Sequence, residues 1–137
     1  MHIFRWIGVS LSLLLLSSAV AFSQNRTVAM TVDDLPYAAA DDGSGLLPAD
    51  QGTAERVNRR LLTAFHRHHI SATGFVIQQG VEKLGAAAGT EILAQWTRGG
   101  FDLGNHTYSH PDINTLSVAQ IEEEIVKGEM TFAPLMK

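Results

Sequence analysis

The chain has 137 residues, 10 Lys+Arg against 14 Asp+Glu, a formal net charge of −4 and no cysteine. That balance argues against a nucleic-acid footprint, which needs clustered surplus positive charge, and the lack of thiols excludes disulfide scaffolds and thiolate metal sites. Any metal must be held by histidine and carboxylate, and 45% hydrophobic with 18% charged residues is ordinary globular composition.

In chain order, Met1–Arg5 carries one positive charge, an apolar run from Trp6 to Phe22 follows, and Ala21-Phe22-Ser23 puts small residues before a break at Gln24. This is the grammar of a secretory signal peptide over residues 1–23, leaving residues 24–137 as the mature domain. The competing reading is a retained membrane anchor, but the run holds four serines and is at the lower limit for spanning. Secretion or a periplasmic, cell-envelope location is the expectation, with membrane contact only if the segment is retained.

Thr27–Val32 is short, apolar and β-branched, and ends in Asp33-Asp34, which predicts a buried strand with polar residues at its C-terminal end. Leu35-Pro36 breaks it. Ala38 to Gly52 reads as a long loop. Its Asp41-Asp42-Gly43-Ser44-Gly45 starts like a calcium loop but lacks the later ligands, so it is turn chemistry. Thr53 as N-cap, with Val57, Leu61, Ala64, Phe65 and His68 on one face, predicts a helix over about 54–68. Ala72–Ile77 is a second apolar strand.

Glu82–Ala88 is short helix or irregular structure. Thr90 is expected to cap a further helix carrying Ile92, Leu93 and Trp96 and ended by Gly99-Gly100. Phe101–Gly104 makes a third short strand, leading to Asn105-His106-Thr107-Tyr108-Ser109-His110-Pro111. Ser117-Val118-Ala119-Gln120 has the capping-box form, and its helix runs through Ile121 and Ile125 to fade between Gly128 and Pro134. Alternation of strand and helix predicts an α/β fold, with parallel strands and covering helices.

Functional residues of parallel α/β proteins collect at the C-terminal ends of strands. Asp33-Asp34 and His106…His110 both fall there, and one rim would bring them together. A catalytic divalent metal takes three His or carboxylate ligands and keeps a position open for water. The spacing of His106 and His110 lets a helical or turn-like segment project both the same way. One aspartate can then bind metal, while its neighbour, pointing elsewhere along an extended backbone, can act as general base. Alone, an Asp-Asp pair is usually a turn or cap, and two histidines four apart are a weak motif. A purely structural α/β unit therefore stays open at this stage.

His66, His68 and His69 form a denser cluster at a helix end, where the dipole favours cations, and read as a solvated terminus rather than an accessory metal patch. Glu122-Glu123-Glu124 reads as a solvated helix face. Trp96 and Tyr108 could line a sugar site, but Trp96 on an apolar face reads as core.

Thr31-Val32-Asp33-Asp34-Leu35-Pro36 resembles the first motif of the polysaccharide deacetylases, the NodB-homology carbohydrate esterases, and Asn105-His106-Thr107-Tyr108-Ser109-His110 resembles their second. Ser71–Val76 looks like the family's second strand and Gly100–Gly104 like the lead into the second motif. The resemblance implies a distorted (β/α) barrel, of which this chain is the front portion. It also implies a metal-dependent hydrolase that removes acetyl groups from N-acetylated, or O-acetylated, polysaccharide.

Carried over residue by residue, Asp33 matches the catalytic base, Asp34, His106 and His110 the metal ligands, and Thr107 a supporting position. Zinc is the default for such ligands, with cobalt or nickel suited to the same set. Leu35 stands where the family usually has Gly, and the segment from Ala38 to Gly52 looks longer than usual. The family's later motifs supply an Arg that orients the base, an apolar wall and an acid His. None precedes Lys137, so the chain is expected to be part of a longer domain. A non-catalytic metal- or glycan-binding role is the alternative.

Overall fold

The computed structural model describes residues 27–37 and 50–136. The proposed signal peptide and the Asp41–Gly45 turn lie outside them.

Three strands, β1 (Met30–Leu35), β2 (Ala72–Val76) and β3 (Asp102–Asn105), form a parallel sheet in the order β1-β2-β3. The helices are α1 (Gln51–Arg67), α2 (Gln78–Leu84), α3 (Ala86–Arg98) and α4 (Val118–Gly128), with single 3-10 turns at Ile113–Thr115 and Ala133–Met136. Sequential parallel pairing through crossover helices is what the alternating pattern predicts. Among the described residues no helix is long and apolar enough to cross a membrane.

Along β2, Ala72, Gly74 and Val76 are buried while Thr73 and Phe75 are half-buried, the period-two signature of a central strand. Its buried side meets α1 and α3 through Ala54, Leu62, Phe65, Ile92, Leu93 and Trp96. Full burial of a Leu, Ile or Phe side chain stabilises by about 1.5–3 kcal/mol. Phe65, Trp96 and Phe101 pack as an aromatic triplet with ring centroids 5.7–6.2 Å apart. Gly74 is obligatory in the middle of β2, because a Cβ there would lie 2.2 Å from Leu35 Cδ1 and 3.1 Å from the Trp96 ring.

Several local expectations shift. The first strand spans Met30–Leu35, so Asp33 and Asp34 lie within it rather than after it. The first helix starts at Gln51, not Ala54. Its N-cap is Asp50, whose carboxylate accepts from the Gly52 and Thr53 N–H groups and the Thr53 hydroxyl; Thr53 donates to the cap rather than being it. These bonds hold the Asp50 carboxyl below its usual range, the Thr53 hydroxyl contributing most. The buried face of α1 is Ala54, Asn58, Leu62 and Phe65, while Val57 and Ala64 are exposed. A polar Asn in the middle of that face displaces the apolar count by one position.

Glu82–Ala88 resolves into two helices broken at Gly85, whose φ is +101°. Gly85, not Thr90, precedes α3; Thr90 is inside the helix, its hydroxyl donating to the Ala86 carbonyl. The Ser117–Gln120 capping box forms as expected.

Candidate metal centre

β1 and β2 pair in register from Met30↔Ala72 to Val32↔Gly74, then resume at Leu35↔Val76. β1 thus spends one extra residue, a bulge centred on Asp33-Asp34. Asp34 takes φ +62°, a left-handed conformation that aspartate tolerates better than most residues. The expectation of an extended backbone across this pair fails: the bulge, not strand alternation, separates the two carboxylates. Asp33 is exposed and Asp34 half-buried.

β3 ends at Asn105, and the segment after it is held from four directions. The Val76 carbonyl accepts the His106 N–H at 3.0 Å, extending the β2 ladder. Asn105 Oδ1 accepts the Thr107 N–H at 2.7 Å, an Asx turn, and Thr107 Oγ1 accepts the His110 N–H at 3.0 Å. The Thr107 and Tyr108 carbonyls accept from Gln78 and Gln79 N–H at the start of α2. From α4, Glu124 accepts from Ser109, and the Ile125 carbonyl accepts from Asn105 Nδ2 at 2.8 Å.

Thr107 and His110 both have positive φ, +68° and +56°. For a β-branched threonine this costs on the order of 1–3 kcal/mol and persists only where surroundings over-determine it. With Asp34, three of the four non-glycine residues of positive φ among the described residues sit at this rim.

The outcome is convergence. Asp34 Oδ1 lies 3.4 Å from His106 Nε2 and 4.0 Å from His110 Nε2. One ligand atom from each residue falls within a sphere of mutual distances under 4.8 Å. Donors of a tetrahedral zinc, each about 2.0–2.1 Å from the ion, stand about 3.3 Å apart, so this set fits a divalent cation with small side-chain adjustment. The imidazoles are packed, His106 against Phe75 at 6.0 Å and against His110 at 4.8 Å between centroids. The side chains remain 28%, 41% and 59% exposed for His106, Asp34 and His110, which leaves one side of the cluster open. Thr107 supports the loop from within, through its hydroxyl, rather than joining the donor set.

His66, His68 and His69 are all exposed, and no three-member donor group forms there among the described residues. The His66 ring packs on Phe101 at 5.0 Å. Trp96 is core. Tyr108 donates to Glu82 at 3.0 Å, and this bond to a carboxylate raises its phenol above the usual value.

The sequence reading missed Asn58, Glu124 and Asn105. Asn58 is in phase with Ala54, Leu62 and Phe65, and Glu124 with Ile121 and Gly128, a helical spacing that marks both as inward-facing despite their polarity.

The sequence profile of the family described as Polysaccharide deacetylase matches residues 23–136. A peptidoglycan-N-acetylglucosamine deacetylase of Bacillus cereus is 28% identical over 83 residues, covering 61% of this chain and 28% of that protein. Among solved structures, a family 4 carbohydrate esterase from Streptomyces lividans in complex with acetate superposes with a TM-score of 0.57 at 24% identity, over 82% of this chain and 46% of that one. A CE4 family pseudoenzyme from Bacillus anthracis superposes with a TM-score of 0.59 at 19% identity, over 82% and 32%. The chain spans 28% of the length of the curated relatives it matches.

Proposed function

Since the chain belongs to the polysaccharide deacetylase family, we propose that its strand-end rim supplies the cation-holding and proton-accepting part of a hydrolytic site acting on acetylated polysaccharide. The observation that carries this reading is the convergence of Asp34, His106 and His110 beside Asp33.

Asp34, His106 and His110 would hold the ion. A divalent cation there, zinc first and cobalt or nickel after it, would supply Lewis acidity toward the acetyl carbonyl and toward water. The exposed carboxylate of Asp33, next in the chain to a ligand and outside the donor set, takes the proton of the attacking water. Water oxygen bonds to the carbonyl carbon, and the carbon–nitrogen bond then breaks to give acetate and an amine. The resemblance assigns the proton for that amine to a histidine of a later family motif. Asn105, Thr107 and the α2 amides keep the two histidines in place throughout. The substrate class is N-acetylated or O-acetylated polysaccharide, and the leader-like residues 1–23 support a secreted or periplasmic setting.

The test is zinc titration of the chain, with acetate release from N-acetylglucosamine oligomers measured in parallel on a longer version that includes the family's later motifs. One zinc per chain is expected, with affinity reduced by orders of magnitude in His106→Ala, since one of three protein ligands is lost. Parent-like zinc binding by His106→Ala would overturn the ligand assignment. Zinc uptake through these residues without acetate release by the longer version would instead assign the non-catalytic metal- or glycan-binding role.

A further inference from the structure

Glu124 behaves unlike its neighbours in the Glu122-Glu123-Glu124 run. Glu122 and Glu123 are exposed, and Glu123 pairs with Lys127 along the helix. Glu124 is half-buried and turns to the loop that carries the histidines. Its two oxygens divide the donors of one residue, Oε2 accepting the Ser109 N–H at 2.7 Å and Oε1 the Ser109 hydroxyl at 2.9 Å. Ser109 directly precedes His110. At the next residue of the same helix, the Ile125 carbonyl accepts from Asn105, which directly precedes His106.

We propose that α4 sets the spacing of the two histidines, with Glu124 as the positioning residue for His110. His110 has a left-handed backbone in a segment without regular structure. Nothing in a helix or sheet ladder fixes its direction, and Pro111 after it offers no N–H, so the two peptides leading into its Cα decide where the ring goes. The His110 N–H is held by Thr107 from inside the loop. The Tyr108–Ser109 peptide is held from outside on both sides, its carbonyl by the Gln79 N–H of α2 at 2.8 Å and its N–H by the Glu124 carboxylate at 2.7 Å, and the same carboxylate takes the Ser109 hydroxyl at 2.9 Å, two charge-assisted bonds from α4. Residues that orient metal ligands from behind are typically worth about 10–100-fold in metal affinity. This inference rests on the cation site proposed above.

The experiment is competition titration with Zn2+ and the visible absorption of the Co2+-loaded chain, on the full chain and four variants, with circular dichroism as the check on folding. Glu124→Ala is expected to weaken zinc about 10–100-fold and to change the cobalt bands, which report ligand geometry and which a loss of general stability would not move. Glu124→Gln should recover part of both, since an amide can accept one Ser109 donor through its oxygen. Exposed Glu122→Ala should match the parent. His110→Ala should lose tight binding. Should Glu124→Ala not fold, Ser109→Ala replaces it, deleting one of the two bonds while leaving α4 untouched, with a smaller drop expected. Parent-like affinity and spectrum in the Glu124 or Ser109 variant, alongside loss in His110→Ala, overturns the positioning role alone. Parent-like binding in His110→Ala overturns the cation site and this inference with it.

Discussion

The side-chain amide of Asn58, buried in the middle of α1, donates to the backbone carbonyl of Pro36, two residues beyond Asp34, at 2.6 Å. The same nitrogen donates to the Ala54 carbonyl at 3.0 Å, and Asn58 Oδ1 accepts the Trp96 indole N–H at 3.0 Å. One side chain that is 2% exposed therefore ties α1, α3 and the end of the aspartate bulge together, with every polar atom partnered.

Asn58→Ala should be strongly destabilising. It opens a cavity and leaves the Trp96 N–H and the Pro36 carbonyl buried without this partner, at about 1–3 kcal/mol for each stranded group. Urea unfolding should show a loss of at least about 2 kcal/mol. Asn58→Leu should not rescue it, because it fills the space but strands the same groups. A leucine variant as stable as the parent would show the network to be dispensable.

What the sequence made legible follows from which signals are local. Strand order, parallel pairing, the α4 capping box and the burial of Trp96 are readable because apolar runs, Gly breaks and Ser-x-x-Gln caps act over a few residues. The Asp34–His106–His110 trio was legible because both clusters fall at strand ends, which one parallel sheet must bring to one rim. The bulge was not legible, because an extra residue in β1 is defined only by its register against β2. Glu124 reads as solvent-facing with its neighbours, and Asn58 draws no reading, because polar residues usually face water. What turned them inward are partners 22 and 15 positions away, Pro36 and Ser109. Counting apolar residues cannot see such pairs.

Asp33→Asn separates base from ligand. The amide keeps the shape of the side chain and cannot take up a proton at the pH of the assay. With Asp33 outside the converging donor set, zinc affinity should stay at the parent level. In a full-length version that includes the family's later motifs, acetate release should fall by about 10²–10⁴, the usual contribution of a positioned general base. Lost zinc binding would make Asp33 a ligand, and unchanged turnover would remove it from the chemistry.

Replacing His66, His68 and His69 together by Gln should leave zinc stoichiometry at one. All three are exposed at the end of α1, where a cation gains only about 0.3–1 kcal/mol from the helix dipole. A small loss of thermal stability is the most this change should produce. A fall from two bound metals to one on titration would reveal an accessory site there.

Gly128→Ala sets two known effects against each other. Inside a helix, alanine is favoured over glycine by about 1 kcal/mol, so the exchange on a free helix would stabilise. Here a Cβ would stand 2.5 Å from Asn105 Oδ1 and 2.9 and 3.1 Å from the carbonyl carbon and Cα of Thr107. Two of those three atoms are backbone and cannot rotate away, and the third is already accepting from the Thr107 N–H. Relief requires α4 to back off the loop, which stretches the Glu124–Ser109 and Ile125–Asn105 bonds. Overpacking of this kind costs about 1–3 kcal/mol, enough to outweigh the propensity gain. Gly128→Ala should therefore lower the melting temperature and weaken zinc binding together, because the same displacement disturbs His106 and His110 from behind. A variant that melts higher than the parent and binds zinc as tightly would show that α4 can leave the loop without moving either histidine.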